Sequence, residues 1–441
     1  MRRIAGLTAV LALCLAGTAQ AQTPVYPKPT KPKLQPKPKG PFHTLKVGKH
    51  AKFKTISAAV KRAKAGDTIK VAHGTYREGV IVQGAKKRYL KIIGDPAKPG
   101  KVLLEGKTLH GARAQNGIQV NGADNVTLRG ITAQHYRANG FFLVNVNGYK
   151  ANDLQAFQVG TYGIYAFNSV GGEMINDVAA WNNDSGFYIG QTPPQQTPKR
   201  TIVRNVTSYG NVLGFSGTNM RYVTITKSKW FNNGTGIVPN ALHSEKYAPP
   251  EHNIITDNDV FWNNFNYYAG APFTVQPPNK DSTPYPVGVG ILLFGSRDTQ
   301  VINNRVYGNY LAGAGMVQQF LLSQEPGAQD LIGNSFTDNV FGLNGTDING
   351  HDLVYDGNGS DNCFQGNTGV QTTVPADAST MPQACPFKGA NAFSSEVQNE
   401  LLEWALDGTH EAYWVKHPHA PQPGLVPLEH YDTYTGKKAP K

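Results

Sequence analysis

A glycine followed by an apolar residue recurs down the middle of the chain: Gly140-Phe141, Gly163-Ile164, Gly186-Phe187, Gly214-Phe215, Gly236-Ile237, Gly290-Ile291, and then Gly313 or Gly315. The steps are 23, 23, 28, 22, 54 and 23 or 25 residues, so an interval near 23 is enlarged once by five and once, at 54, reads as two coils with an insertion. Each unit carries a second short strand seven to nine residues earlier, in the pattern Asp153-Leu154, Asp177-Val178, Asn205-Val206, Arg305-Val306. A unit this short cannot bury its apolar face alone, whereas coils stacked about 4.8 Å apart pair every strand and build one continuous core. The 441 residues, which would otherwise suggest about three domains, therefore read as one solenoid. Leucine-rich repeats share the period but need regular leucines and helical backs, which this chain lacks.

Columns read down the coils separate inside from outside. Phe141, Ile164, Phe187, Phe215, Ile237 and Ile291 are uniformly apolar and should face inward. By strand alternation Phe142, Tyr165 and Tyr188 in the next column should face out, as a flat aromatic stripe on which sugar rings can stack, unless the long loops cover it. Asn145, Asn168, Gln191 and Asn219 fall where stacked amides would bond to one another at a turn.

The ends differ from the middle. Arg2 and Arg3, the apolar Ile4–Leu15 and Ala19-Gln20-Ala21 read as a signal peptide over 1–21, so the protein is expected to be secreted and extracellular, with envelope association open. Residues 22–43 form a Lys/Pro-rich linker, expected to be an extended spacer that either contacts an anionic envelope polymer or only aids solubility. The net charge is +12, but residues 1–66 hold 14 Lys and Arg and no acid, leaving 42 − 14 = 28 bases against 30 acids beyond. Basicity belongs to the tail, so no nucleic-acid interface is expected, and no apolar run past the leader is long enough for a transmembrane segment. Cys363 and Cys385 remain after leader removal and read as a disulfide, the alternative being two buried thiols. Residues 44–370 are assigned to the solenoid and 371–441 to a C-terminal cap and tail, in which 395–406 reads as an amphipathic helix.

Thr55–Ala63 has helical apolar spacing and is followed by Ala65-Gly66-Asp67, the strand Thr68–Val71, and Gly74-Thr75-Tyr76-Arg77-Glu78. This order, together with the repeat, resembles the pectate-lyase-like right-handed parallel β-helix superfamily over roughly residues 44–370. The phrases around Tyr162–Phe167, Gly186–Gly190, Gly236–Asn240 and Asn362–Phe364 are most similar to secreted bacterial β-helix repeat proteins of uncharacterised activity. The resemblance implies an all-β solenoid with an N-terminal capping helix that blunts the first sheet edge, and a C-terminal capping helix is expected at the other end.

Insertions at 190–200, 239–253, 268–288 and 318–330 are where function would be grafted on such a scaffold. The second holds His243, Glu245, Lys246, Tyr247, Glu251 and His252. His243, Glu245 and His252, with Asp184 beside the aromatic stripe, are candidates for acid–base work, and Lys246 and Tyr247 for substrate contact alongside Phe142, Tyr165 and Tyr188. The alternative for each is an ordinary surface or turn residue. The superfamily's use of acids on adjacent coils to hold calcium makes Asp153 and Asp177 candidate calcium ligands, against a reading as turn chemistry. The polygalacturonase and alginate-epimerase signatures are missing. The expected function is to bind, and as an enzyme to cleave in a lyase-like way, an extracellular polysaccharide. The alternative is a non-catalytic envelope or adhesion β-helix that binds glycan. Glycoside hydrolysis is the second enzymatic option.

Overall fold

The computed structural model describes residues 27–265, 285–320, 327–343, 345, 347–376, 381 and 383–406. The expected signal peptide, most of the 268–288 insertion, part of the 318–330 insertion and the tail from 407 lie outside the described residues.

Among the described residues three parallel sheets run the length of the molecule. The first has twelve strands, from Thr44–Val47 to Cys363–Gln365; the second has eleven, from Val80–Gln83 to Thr373–Val374; the third has ten, from Gly74–Tyr76 to Val340–Phe341. Each strand pairs with its counterpart one coil on, and crossovers of this kind are right-handed. The chain is a right-handed parallel β-helix.

The glycine column lies in the second sheet with the register the repeat predicts: Phe141 pairs with Ile164, Ile164 with Phe187, Phe187 with Phe215, and Phe215 with Ile237. All are buried in the core. The glycines themselves answer a close approach: a Cβ on Gly163 would lie 2.5 Å from the Gly186 carbonyl and 2.9 Å from Asn182 Nδ2. One expectation is corrected. Ile237 pairs directly with Ile291, so the 54-residue step is a single coil carrying insertions, not two coils.

The turns inside the helix are closed by amides. Asn182, Asn211, Asn233, Asn263, Asn309 and Asn349 stack one per coil, each Nδ2 donating to the next Oδ1 at 3.0–3.1 Å. Asn258, Asn304, Asn339 and Asn367 form a second ladder at 2.9–3.0 Å. Each satisfies turn backbone groups that burial removes from water.

Helix α1, Ile56–Arg62, closes the N-terminal end with Ile56, Ala59 and Val60 buried. Thr55 caps it, and the Glu78 carboxylate accepts from the Ile56 and Ser57 amides at 2.7 and 2.9 Å. Contrary to the expected free spacer, residues 27–43 are strapped along the solenoid. Thr30 bridges to Gln195, the Gln35 side chain bonds both the Gly122 carbonyl and the Asp124 amide, and His43 N donates to Asp67 at 2.8 Å.

At the other end a Cys363–Cys385 disulfide ties the last strand of the first sheet to the segment that follows. Asp361, Phe364 and Asn362 bond to Gly389, Gln383 and Asn391, so this segment runs along the open edge and covers it. Helix α2, Ser395–Leu406, then packs on the outer face of the second sheet, with Val397 and Leu401 buried against that apolar cluster and Trp404 stacked on His351 at 5.2 Å.

Candidate functional site

Strand alternation turns one column of the second sheet outward, and what lies over it changes along the molecule. Over the early coils it is open: Gln119, Phe142 and Tyr165 are half-buried, as are Asn121, Val144 and Phe167 two residues on. From the next coil it is covered, with Tyr188 only 4% exposed and Ser216, Val238 and Leu292 buried. The aromatic stripe is therefore a shelf at Phe142 and Tyr165 that runs under cover at Tyr188, which corrects the expectation of three exposed rings. Phe142 and Tyr165 stack at 4.5 Å and 10°, and Tyr188 meets Tyr165 edge-on at 4.8 Å.

The cover begins with the loop after Asn240, which is tightly held. Asn219 accepts from the Leu242 amide at 3.0 Å and donates to the Leu242 and Glu245 carbonyls, while Gln191 accepts from the Lys246 amide at 3.0 Å. Behind it a fully buried ion pair, Arg221 Nε to Glu251 at 2.6 Å, anchors the loop's far end, and Arg221 also donates to the Tyr247 carbonyl. The predicted outer ladder thus splits in two. Asn168 donates to Asn145 at 2.6 Å as expected, whereas Gln191 and Asn219 in the same column hold the loop.

That anchoring sets Glu245 against the shelf. The Tyr188 hydroxyl donates to Glu245 Oε1, and Oε2 is buried with no hydrogen-bond partner among the described residues. Gly190 makes this approach feasible, since a Cβ there would lie 2.9 Å from Oε2 and 2.3 Å from the Tyr188 ring. Burial pushes the Glu245 carboxyl up to about 7. Asp184 accepts from Ser185 Oγ at 2.7 Å, and burial pushes its carboxyl up to about 6. Tyr162 lies 4.7 Å from the Tyr165 ring and 4.5 Å from that of Tyr188. Burial, with the charges of Asp184 and Glu245, raises the phenols of Tyr162, Tyr165 and Tyr285, so all three remain neutral donors.

The structure thus gathers Asp184, Glu245, Phe142, Tyr165 and Tyr188, and adds Tyr162 and Tyr285. It leaves His243 and Lys246 exposed elsewhere on the loop. Tyr247 contributes its carbonyl to Arg221. His252 is also apart: it stacks on Tyr222 at 5.1 Å, with Nδ1 3.7 Å from Asp298. Tyr162 and Tyr285 escaped sequence reasoning because neither falls in the repeat's apolar columns.

Asp153 and Asp177 do not occupy equivalent positions, which corrects the basis for pairing them. Asp153 is a left-handed turn residue bonded to Arg129 at 2.6 Å and to Asn176, the residue one coil on, at 3.0 Å. Asp177 points inward, accepting from the Leu154 amide at 2.7 Å as the ladder asparagines do in later coils, and burial raises its pKa. Among the described residues no three His, Cys, Asp or Glu side chains converge to hold a metal ion.

The model of a family described as periplasmic copper-binding protein (NosD) matches residues 100–274. No curated protein matches the chain. Among solved structures, the Azotobacter vinelandii mannuronan C-5 epimerase AlgE4 A-module is similar at 14% identity over 77% of this chain and 94% of that one, with a TM-score of 0.48. A rhamnogalacturonan lyase is 14% identical over 78% and 86%, TM-score 0.43, and pectate lyase Pel9A 14% over 76% and 78%, TM-score 0.39. These are likenesses of fold. No helix among the described residues is long and apolar enough to cross a membrane.

Proposed function

We propose that the outer face of the second sheet binds an extracellular polysaccharide and cleaves it by general acid–base catalysis. The observation that carries this reading is the placing of two carboxyls with raised pKa, Asp184 and Glu245, at the covered end of the Phe142–Tyr165 stack. Sugar rings stack on the aromatic floor. At neutral pH Asp184 is mostly ionised and serves as base, while Glu245 retains much of its proton and serves as acid, oriented by Tyr188.

Calcium at Asp153 and Asp177 is not part of this reading, because the two side chains serve different turn columns. Nor is copper, the metal in the matched family's description, because no donor set converges on one among the described residues. The expected leader would deliver the protein outside the cytoplasm. The strap's exposed Lys28, Lys31, Lys33, Lys37 and Lys39 would then offer a contact for an anionic envelope polymer.

The test is release of reducing and of unsaturated ends from a panel of neutral and uronate polysaccharides by the protein and by Asp184→Asn and Glu245→Gln. Loss of product with binding intact supports catalysis. Binding without product from any form supports the alternative, a non-catalytic envelope or adhesion β-helix. Neither binding nor product would end the glycan reading.

A further inference from the structure

We infer that the shelf receives the end of an uncharged glycan chain, and that cleavage there is a hydrolysis removing terminal units. This rests on the reading of the face as a glycan-cleaving site and adds two features of it.

The first is the shape of the face. The outward column is accessible over the strands that carry Ile81, Gln119, Phe142 and Tyr165 and is closed at the next strand, where Tyr188 is buried beneath Glu245. From the Ile81 strand to the Tyr188 strand is four spacings of about 4.8 Å, or about 19 Å. A chain laid along the coil axis over the aromatic floor therefore meets a wall. The cover continues beyond it as Ser216, Val238 and Leu292, all buried, so the described residues leave no continuation for an internal segment to pass through. The carboxyls stand at the wall, so the units next to the chain end are the ones presented to them.

The second is charge. The half-buried floor residues Gln119, Asn121, Phe142, Val144, Tyr165 and Phe167 include no cation, and the ionisable groups at the wall are carboxyls and phenols. A uronate chain would bring one carboxylate per unit to a floor whose described residues carry no cation, with a carboxylate at its end. Elimination from a uronate also needs its carboxylate neutralised as the neighbouring proton leaves. A neutral chain needs only hydroxyl contacts and stacking, which amides and aromatic rings supply. For such a chain the balanced step is hydrolysis. Water attacks the anomeric carbon and gives its proton to Asp184, the glycosidic C–O bond breaks, and the leaving oxygen takes the proton of Glu245.

The experiment measures binding by calorimetry to the full protein and to Glu245→Gln. The probes are neutral gluco-, xylo- and manno-oligosaccharides and galacturonate and mannuronate oligomers of two to eight units, each with free ends or with a bulky cap on one end. A neutral series should bind, with a cap on one particular end weakening binding about tenfold or more and a cap on the other leaving it unchanged. Affinity should stop rising at about four units. Equal binding of both capped forms would overturn the chain-end assignment while leaving the glycan site standing. Uronate oligomers binding as well as neutral ones would overturn the charge assignment. Binding of no oligomer would overturn the glycan reading and this inference with it. Gln119→Arg, at a half-buried floor position, provides a gain-of-function control: it should shift preference towards uronate oligomers, and an unchanged preference would count against the floor as the contact surface.

Discussion

The Tyr188 hydroxyl donates to Glu245, a residue 57 positions later in the chain, and this bond joins the repeat to the loop that covers it. The phenol is raised well above its usual range by burial, with the Glu245 charge adding to the shift, so it stays a donor. Tyr188→Phe should therefore keep the ring packed while removing the hydroxyl donor to the buried Glu245 carboxyl. Removing a buried group's partner in this way costs about 1–3 kcal/mol. The expected outcome is a lower melting temperature and faster proteolysis within 241–250, with strand content by circular dichroism unchanged. An unaltered proteolysis pattern would show that the loop is held by Asn219, Gln191 and Arg221 alone.

Burial raises Glu245 to about 7 and Asp184 to about 6, both above ordinary carboxylate values. A carboxyl whose folded pKa is raised contributes stability that is fully present below its unfolded pKa, near 4, and is lost as pH rises through the folded value. The contribution of these two groups should thus fall between about pH 4 and 7. Comparing melting temperatures across that range for the protein and for Asp184→Asn with Glu245→Gln should show a smaller decline in the double variant. Cleavage should follow a bell, rising as Asp184 ionises near 6 and falling as Glu245 loses its proton near 7. A pH–rate profile flat across this range would exclude the pair as base and acid.

Gly190→Ala probes the close approach of loop and strand. The added methyl would lie 2.3 Å from the Tyr188 ring and 2.9 Å from Glu245 Oε2, so one of them must move. Overpacking of this kind costs about 1–3 kcal/mol. We expect reduced thermal stability and loss of cleavage with the floor rings Phe142 and Tyr165 undisturbed, so that stacking-dependent binding falls less than turnover. Equal stability to the parent would mean that the loop is free to lift.

The helical wrap was legible because its signal is local. The inward apolar column Phe141 to Ile291 and the glycines beside it recur at nearly constant spacing, and parallel stacking makes equivalent positions neighbours. What the period does not encode is cover. Tyr165 and Tyr188 are alike in sequence, yet one is half-buried and the other buried, because Glu245 arrives from an insertion held by Asn219 and Arg221. Asp177 was misplaced for a related reason. Its Asp-apolar pattern imitates Asp153-Leu154, but its side chain fills the inward position that Asn258 and Asn304 fill later, one residue out of register. The strap misled by composition: proline and lysine specify an extended chain, and an extended chain can lie along a surface as readily as leave it. Gln35, the residue that fastens it to Asp124, has no signature in the sequence.

The Arg221–Glu251 pair is fully buried, and removing one partner should cost far more than replacing both. Arg221→Ala removes the cation bonded to the buried Glu251 carboxylate, leaving it the field of Arg297, and is expected to lose about 3–5 kcal/mol, or to fail to fold. Arg221→Met with Glu251→Leu should recover most of that loss in denaturant unfolding while releasing the Tyr247 carbonyl, so that the loop becomes protease-sensitive. If the double variant is no more stable than the single, the pair is not the source of the effect.

The C-terminal end combines two devices that separate variants should resolve. The Cys363–Cys385 bridge holds the segment along the open edge of the last coil, whereas α2 covers apolar surface on the flank through Val397, Leu401 and Trp404. Cys363→Ser with Cys385→Ser opens a 22-residue loop, for which the expected loss is about 2–4 kcal/mol, with the helix still docked. Truncation after residue 391 keeps the bridge and the edge cover but exposes the groove formed by Leu292, Val354 and their neighbours, so it should increase dye binding to apolar surface and promote association. The two variants should therefore differ in kind: the first melts earlier as a monomer, and the second aggregates. A truncated protein that stays monomeric and binds no dye would show that α2 adds little cover, and would free that helix for a role with a partner.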